Sequence, residues 1–342
     1  MADIIVFWFS AEDALSKQRD SWVDLVKLVA CILVVLGHFF QSVVKAGIIQ
    51  DSLLYEWFNT TIYYFHVPLF FICSGYLFQK YSKVRSVSSW RNNVLKKLLA
   101  LGIPYLVFSI LTWVLKIVFS SSVNEHVDGL LKSLLVSPLS PYWYLYVLFI
   151  FFVVAFTVTK KQEMIILLAI ACILKLWNAF EIYTGIYAVD KTMDFYIWFV
   201  FGMAMGFGAI KYFDTKIGII AAIILLVLSI VPFAWNLNIV GFSTVVGLIA
   251  CYSVISIIRG TCSENNNRIL GWLSQYTMPI FLMHTLFAAP FRSLLIKIGI
   301  SNAAVHVVGG IAISFMGPVI AMIIMEKLRP LDFLVYPRRY IK

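Results

Sequence analysis

Charge is what this chain has least of: 13% of its residues are Asp, Glu, Lys or Arg, against 61% hydrophobic, and mean hydropathy is +0.90. That balance excludes a soluble globular protein of ordinary make-up. Acid is scarcer than base, 17 residues against 27, which leaves a net charge of +10. The five cysteines (Cys31, Cys73, Cys172, Cys251, Cys262) show no CxxC or metal-ligand spacing. They read as small core residues, and no metal is expected. No polar stretch is domain-sized; the longest, at 80–97, 120–141 and 259–268, are loops. Heptads, solenoid periods, low-complexity tracts and a visible inverted repeat are all missing, and the last absence weighs against a transporter. No nucleic-acid-binding motif is present. The short apolar run IIVFWFS at 4–10 is followed by acidic residues and no small-residue cleavage site, so 1–21 reads as a cytoplasmic tail, not a removed signal.

What is present is apolar length. Stretches able to cross about 30 Å of hydrocarbon fall near 22–44, 56–79, 97–119, 142–159, 163–180, 194–210, 217–235, 239–258, 272–290 and 303–325. The fold expected is an all-α polytopic membrane bundle of about ten transmembrane helices. With both termini cytoplasmic, nineteen basic residues fall on inside segments and six on outside ones. This positive-inside asymmetry favours that orientation and accounts for the net charge through topology and contacts with anionic membrane lipids. The domain organisation that follows is a tail at 1–21, a membrane domain at 22–325 and a basic cytoplasmic tail at 326–342.

Within the first span, DLVKLVACILVVLGH places Asp24, Lys27 and His38 among apolar residues. At roughly 100° per residue the step from Lys27 to His38 leaves about 20° of rotation, and the step from Asp24 about 40°. All three share one face, with Lys27 near the helix start and His38 about 16 Å deeper. A packing histidine is the plain alternative, but the shared face favours a site, and imidazole suits proton removal from a hydroxyl near neutral pH. Lys27 suits docking of an anionic co-substrate, or snorkelling to headgroups beside Asp24.

His66 lies in YYFHVPLFFICSGYLF, where the following proline disfavours helical geometry at the histidine itself. Ser74 and Gly75 read as helix contacts, since no GxSxG elbow surrounds the serine. Arg91, Lys96 and Lys97 form a basic cluster at the start of the third span, which topology explains and which would also suit a phosphate-rich co-substrate such as coenzyme A. Tyr142, Trp143 and Tyr144 open the fourth span as an interfacial belt or as a stacking surface for a sugar ring. His284, in MPIFLMH, is a further polar site deep in the ninth span; His126 and His306 need no special role.

Taken in order, DLVKLVACILVVLGH at 24–38, FHVPLFFICSGYLF at 65–78, KKLLALGIPYLVF at 96–108, PYWYLYVLF at 141–149 and MPIFLMHTLF at 278–287 resemble the membrane-bound acyltransferase 3 family along most of the chain. The nearest likeness is to its fucose 4-O-acetylase-like and other polysaccharide O-acetyltransferase members. The resemblance implies a bundle of about ten helices that moves an acyl group, usually acetyl, from cytoplasmic acetyl-CoA to a sugar hydroxyl. It places His38 at the family's first-helix histidine. Many members carry arginine where this chain has Lys27, and lysine lacks the bidentate fork; the fucose-acetylase-like branch resembles this chain in having lysine there. Members acting on peptidoglycan often carry an SGNH hydrolase-like domain, for which this chain has no room. The expected function is thus O-acetylation of a bacterial exopolysaccharide, O-antigen or capsule, or a lipid-linked precursor, in the inner membrane beside assembly or export proteins. His38 and His66 would be the catalytic pair, Lys27, Arg91, Lys96 and Lys97 would hold acetyl-CoA, and Tyr142, Trp143, Tyr144 and His284 would meet the acceptor. The rival from another class is a transporter or flippase whose polar path runs through Lys27, His38 and His66.

Overall fold

The computed structural model describes residues 20–119, 128–210, 213–235, 239–261 and 268–340, and every regular element among them is helical. Helix α1 (Ser21–Lys45) is the axle of the bundle. Its 25 residues reach about 37 Å, enough to cross hydrocarbon. Packed around it are α2 (Leu53–Tyr63), α3 (His66–Tyr81), α11 (Phe242–Thr261), α12 (Arg268–Gln275), α13 (Thr277–Lys297) and α14 (Ala303–Lys327). Enclosure on so many sides leaves Asp24, Lys27 and His38 half-buried within the protein.

The second expected span is a broken helix, α2 followed by α3, with the break at Tyr64 and Phe65. The expectation of non-helical backbone at His66 is corrected here: His66 opens α3 in helical geometry. Pro68 falls in the first turn, where its missing N–H has no helical acceptor to serve, so it costs the helix nothing.

Next come α4 (Val87–Lys97), a five-residue π-turn at Leu98–Gly102 and α5 (Ile103–Val118), then the short α6 (Leu130–Leu135). The stretch expected to span at 142–159 is helical only as α7 (Trp143–Val154), about 18 Å long. Residues 155–159 leave the helix because a distant side chain offers them other partners: the Gln79 amide donates to the Val158 carbonyl (2.7 Å) and accepts from its N–H (2.9 Å). Helix α8 (Lys161–Ala179) is followed by α9 (Tyr187–Phe207), which begins seven residues before the expected span and so adds Asp190 and Lys191 to the helix that carries Asp194. Helix α10 (Thr215–Trp235) pairs with α11, and α13 with α14. Eight helical runs among the described residues are long and apolar enough to cross a membrane; α7, by length, and α9, by its charges, are the two expected spans outside that set.

Helices α3 and α9 meet where neither has a side chain. A Cβ on Gly75 would lie 1.9 Å from the Phe199 carbonyl oxygen, and one on Gly202 would lie 2.0 Å from that of Ile72. Small residues let backbones touch, and dispersion is then the main attraction between helices in lipid. After Lys327 the chain folds back in two short 3-10 turns, Leu331–Leu334 and Pro337–Arg339. The Tyr336 hydroxyl donates to the Gln275 carbonyl (2.5 Å) and Arg339 pairs with Glu326 (2.7 Å), so this segment is stitched to the bundle.

Candidate active site

The packing of α13 against α1 brings His284 to His38, with ring centroids 5.5 Å apart and planes inclined at 43°. The two rings are packed side by side without a hydrogen bond from His284 Nε2 to His38. His284 Nδ1 lies 3.0 Å from the carbonyl oxygens of both Ile280 and Phe281. Carbonyls only accept, so Nδ1 carries the proton and Nε2 holds the lone pair. That Nε2 is buried and has no hydrogen-bond partner. A void of about 30 Å³, the size of a single water, adjoins both rings and is walled by Ser42, Thr285 and Ser314. One turn beyond His38, Arg292 of α13 donates to the Ser42 carbonyl (3.0 Å) and hydroxyl, tying the two helices at this depth.

His66 stands near the same place on a different helix. Its Nδ1 donates to the Ile62 carbonyl (2.6 Å), which again leaves Nε2 as the basic nitrogen. Tyr63 packs edge-on against the His66 ring at 4.5 Å. The same tyrosine faces Gly37 of α1, where an added Cβ would lie 3.3 Å from its ring. Tyr63 therefore stands between His66 and the α1 backbone next to His38.

At the other end of α1, which we term the basic end, the Lys97 ammonium sits 4.0 Å from the Phe152 ring centroid and within electrostatic reach of Lys27 and Arg338. Three cations thus converge where the π-turn meets the C-terminal 3-10 turn. Like charges so placed repel one another, and an anion among them would relieve the repulsion. Arg91 and Lys96 are exposed on α4. Asp20, just outside the membrane-spanning part of α1, accepts from Lys80 (2.8 Å), Tyr76 (2.7 Å) and Tyr81 (3.1 Å). Burial works to raise its carboxyl pKa, but the bonds from Lys80 and Tyr76 outweigh it and hold it below the usual carboxylate value.

Of the residues expected to meet an acceptor, His284 is at the histidine pair and the aromatic ones are not on an open surface. Tyr142 is fully buried: its hydroxyl donates to the Leu282 carbonyl (3.0 Å), so Thr112 must donate to it in turn (2.9 Å). Tyr144 is buried against Phe70, Phe71 and Phe281, with its hydroxyl near Ser74. Trp143 is half-buried, beside Phe195 and under the Lys191 ammonium. Tyr142 and Tyr144 thus brace the start of α7 against α3, α5 and α13 inside the bundle, while Trp143 packs on α9. His306 Nε2 meets the Ile300 carbonyl (2.8 Å), a loop-fastening role, and His126 lies outside the described residues.

An acyltransferase domain model, Acyl_transf_3, matches residues 20–323. The chain belongs to this acyltransferase family. It is similar to the nodulation protein NolL of Mesorhizobium japonicum, with 28% identity over 149 residues, 44% of this chain and 38% of that protein. It is also similar to the nodulation protein NolL of Sinorhizobium fredii, with 42% identity over 62 residues, 18% of this chain and 16% of that one. The matched part is thus well under half of either relative's length. No solved structure matches. Within this acyltransferase-family bundle, Tyr63, Arg292 and Arg338 join the site only through tertiary packing, whereas Ser42 lies one turn from His38 on the same face of α1 and was legible from helical spacing. Arg292, which the sequence places on an outside segment past the ninth span, lies within α13.

Proposed function

We propose that the chain is a membrane O-acyltransferase that moves an acetyl group from acetyl-CoA to a sugar hydroxyl of a bacterial surface polysaccharide or its lipid-linked precursor, within the inner membrane. The observation that carries this is the meeting of His38 with His284, whose Nε2 is basic, buried and unpartnered, in a chain of an acyltransferase family.

The donor enters at the basic end, taken as cytoplasmic. Lys27, Lys97 and Arg338 take its phosphates, with Arg91 and Lys96 on the approach. Its thioester lies along the α1 face toward His38. His38 accepts the proton of the acceptor hydroxyl as that oxygen attacks the thioester carbonyl; the new C–O bond forms, the C–S bond breaks, and the proton passes from the imidazolium to the departing thiolate. His284 Nε2, beside the His38 ring, takes a share of the transient proton, and its own tautomer is locked by two backbone carbonyls. His66 stands as the orienting group on the Tyr63 side. Neighbouring lipids and glycan assembly or export proteins complete the setting.

The test is mass spectrometry of surface polysaccharide from a deletion strain complemented with wild type or His38→Ala at matched protein levels. Acetyl increments that vanish in the deletion and return only with wild type support the proposal. Glycan unchanged in mass but reduced at the surface overturns it in favour of transport.

A further inference from the structure

At the end of the bundle opposite Lys27 a cavity of about 620 Å³ opens between α2, α3, α8, α9 and the start of α11. That volume lies in the range of small-molecule sites and has room for about one or two sugar rings. Three features of its wall define a ligand class. Tyr63, Tyr64, Phe195 and Trp198 offer aromatic faces. Lys175 of α8 and Asp194 of α9 form an ion pair at 2.5 Å with side chains only 16% and 23% exposed. Desolvation makes such a pair a poor source of stability, and ionisable groups kept inside membrane helices commonly serve a ligand. The buried Thr244 hydroxyl in the wall has no hydrogen-bond partner.

Aromatic faces suit the C–H faces of a pyranose. An ion pair leaves ammonium donors and carboxylate lone pairs for adjacent hydroxyls. Anions are disfavoured, because Asp194 and Glu181 outnumber Lys175 among the charged wall residues. The cavity also abuts the histidines: its Tyr63 wall is the ring packed on His66 and placed beside Gly37, next to His38.

We propose that this cavity is the acceptor port, a site for an uncharged sugar unit that enters from the end opposite the three-cation cluster and is gripped by the Lys175–Asp194 pair. It rests on the acyltransferase function proposed above. It also separates the routes of the two substrates, so that donor and acceptor approach His38 from opposite sides of the membrane.

The experiment is equilibrium dialysis of the full chain in lipid nanodiscs with labelled methyl glycosides of glucose, galactose, mannose and fucose, and with glucose 1-phosphate as the anionic arm. At least one methyl glycoside binds, glucose 1-phosphate binds no more tightly, and Asp194→Asn and Lys175→Gln each weaken binding tenfold or more. Phe180→Ala, at an exposed position on the rim, weakens binding without touching the ion pair and guards against loss of fold. Failure of every glycoside to bind, or undiminished binding in all three variants, overturns the port. Acetyl transfer measured on the same preparations separates the two proposals. Glycoside binding without transfer keeps the port and rejects the enzyme, whereas transfer with an unchanged acceptor KM in Asp194→Asn keeps the enzyme and rejects the port.

Discussion

His38 and His284 come from opposite ends of the chain and stand 5.5 Å apart between ring centroids, with the His284 lone pair held at a buried nitrogen that has no hydrogen-bond partner. Two imidazoles at this distance act as a unit, so their removal should not be additive. His38→Ala is expected to leave only a small residual rate of acetyl transfer, and His284→Ala to lower kcat by about 10²- to 10⁴-fold, the usual worth of positioned acid–base help. The double variant should be no slower than His38→Ala. Single-turnover acetyl transfer in nanodiscs checks this; a double variant slower than His38→Ala by the full His284 factor would show that the rings act independently.

The α1 stripe was legible in the sequence because helical periodicity fixes the angle between Asp24, Lys27 and His38 regardless of what surrounds the helix. The helical runs were legible for a similar reason, since apolar length is a local property. Neighbourhood is not local. Nothing in MPIFLMH says that α13 lies against α1, so His284 read as a separate site. Tyr142 and Tyr144 read as a belt because aromatics at a span end usually meet the interface, yet here Leu282, Thr112 and Ser74 take their hydroxyls inside. The early end of α7 was hidden because its cause is the Gln79 side chain on α3.

The three-cation cluster gives a donor-side prediction. Lys97→Gln and Arg338→Gln should each raise KM for acetyl-CoA several-fold while kcat changes little, because in the proposed function they meet phosphates remote from the reacting carbonyl. The effect should shrink as salt screens the wild-type attraction. Initial rates at two ionic strengths measure it, and an unchanged KM in both variants would remove the cluster from donor binding.

Asp20 fastens the entry of α1 to α3 through Lys80, Tyr76 and Tyr81. Its carboxyl pKa is lowered in the folded state, so its contribution is present in full above the unfolded value near 3.9 and is lost as pH falls through the lower folded value. Asp20→Asn should therefore cost about 1 kcal/mol at neutral pH. The gap from wild type should close below pH 4. Thermal melts of both proteins from pH 7 to pH 3 follow the gap; one that is constant across that range would deny the carboxylate its role.

Glycine-to-alanine substitution should change stability in opposite directions at Gly202, in the α3–α9 contact, and at Gly271, on the open side of α12. At Gly202 a Cβ would lie 2.0 Å from the Ile72 carbonyl oxygen, and backbone on both sides leaves no flexible group to yield. Gly202→Ala must push α9 off α3, at a cost of about 1–3 kcal/mol or more. Because α9 carries Asp194, the displacement should also loosen the Lys175–Asp194 pair and with it glycoside binding. At Gly271 in α12 an added Cβ meets nothing within 4 Å, so Gly271→Ala gains helix propensity at no steric cost, about 0.5–1 kcal/mol. Melting temperatures should therefore move down for the first variant and up for the second. Equal stability of Gly202→Ala and wild type would mean that the two backbones do not touch in the folded protein.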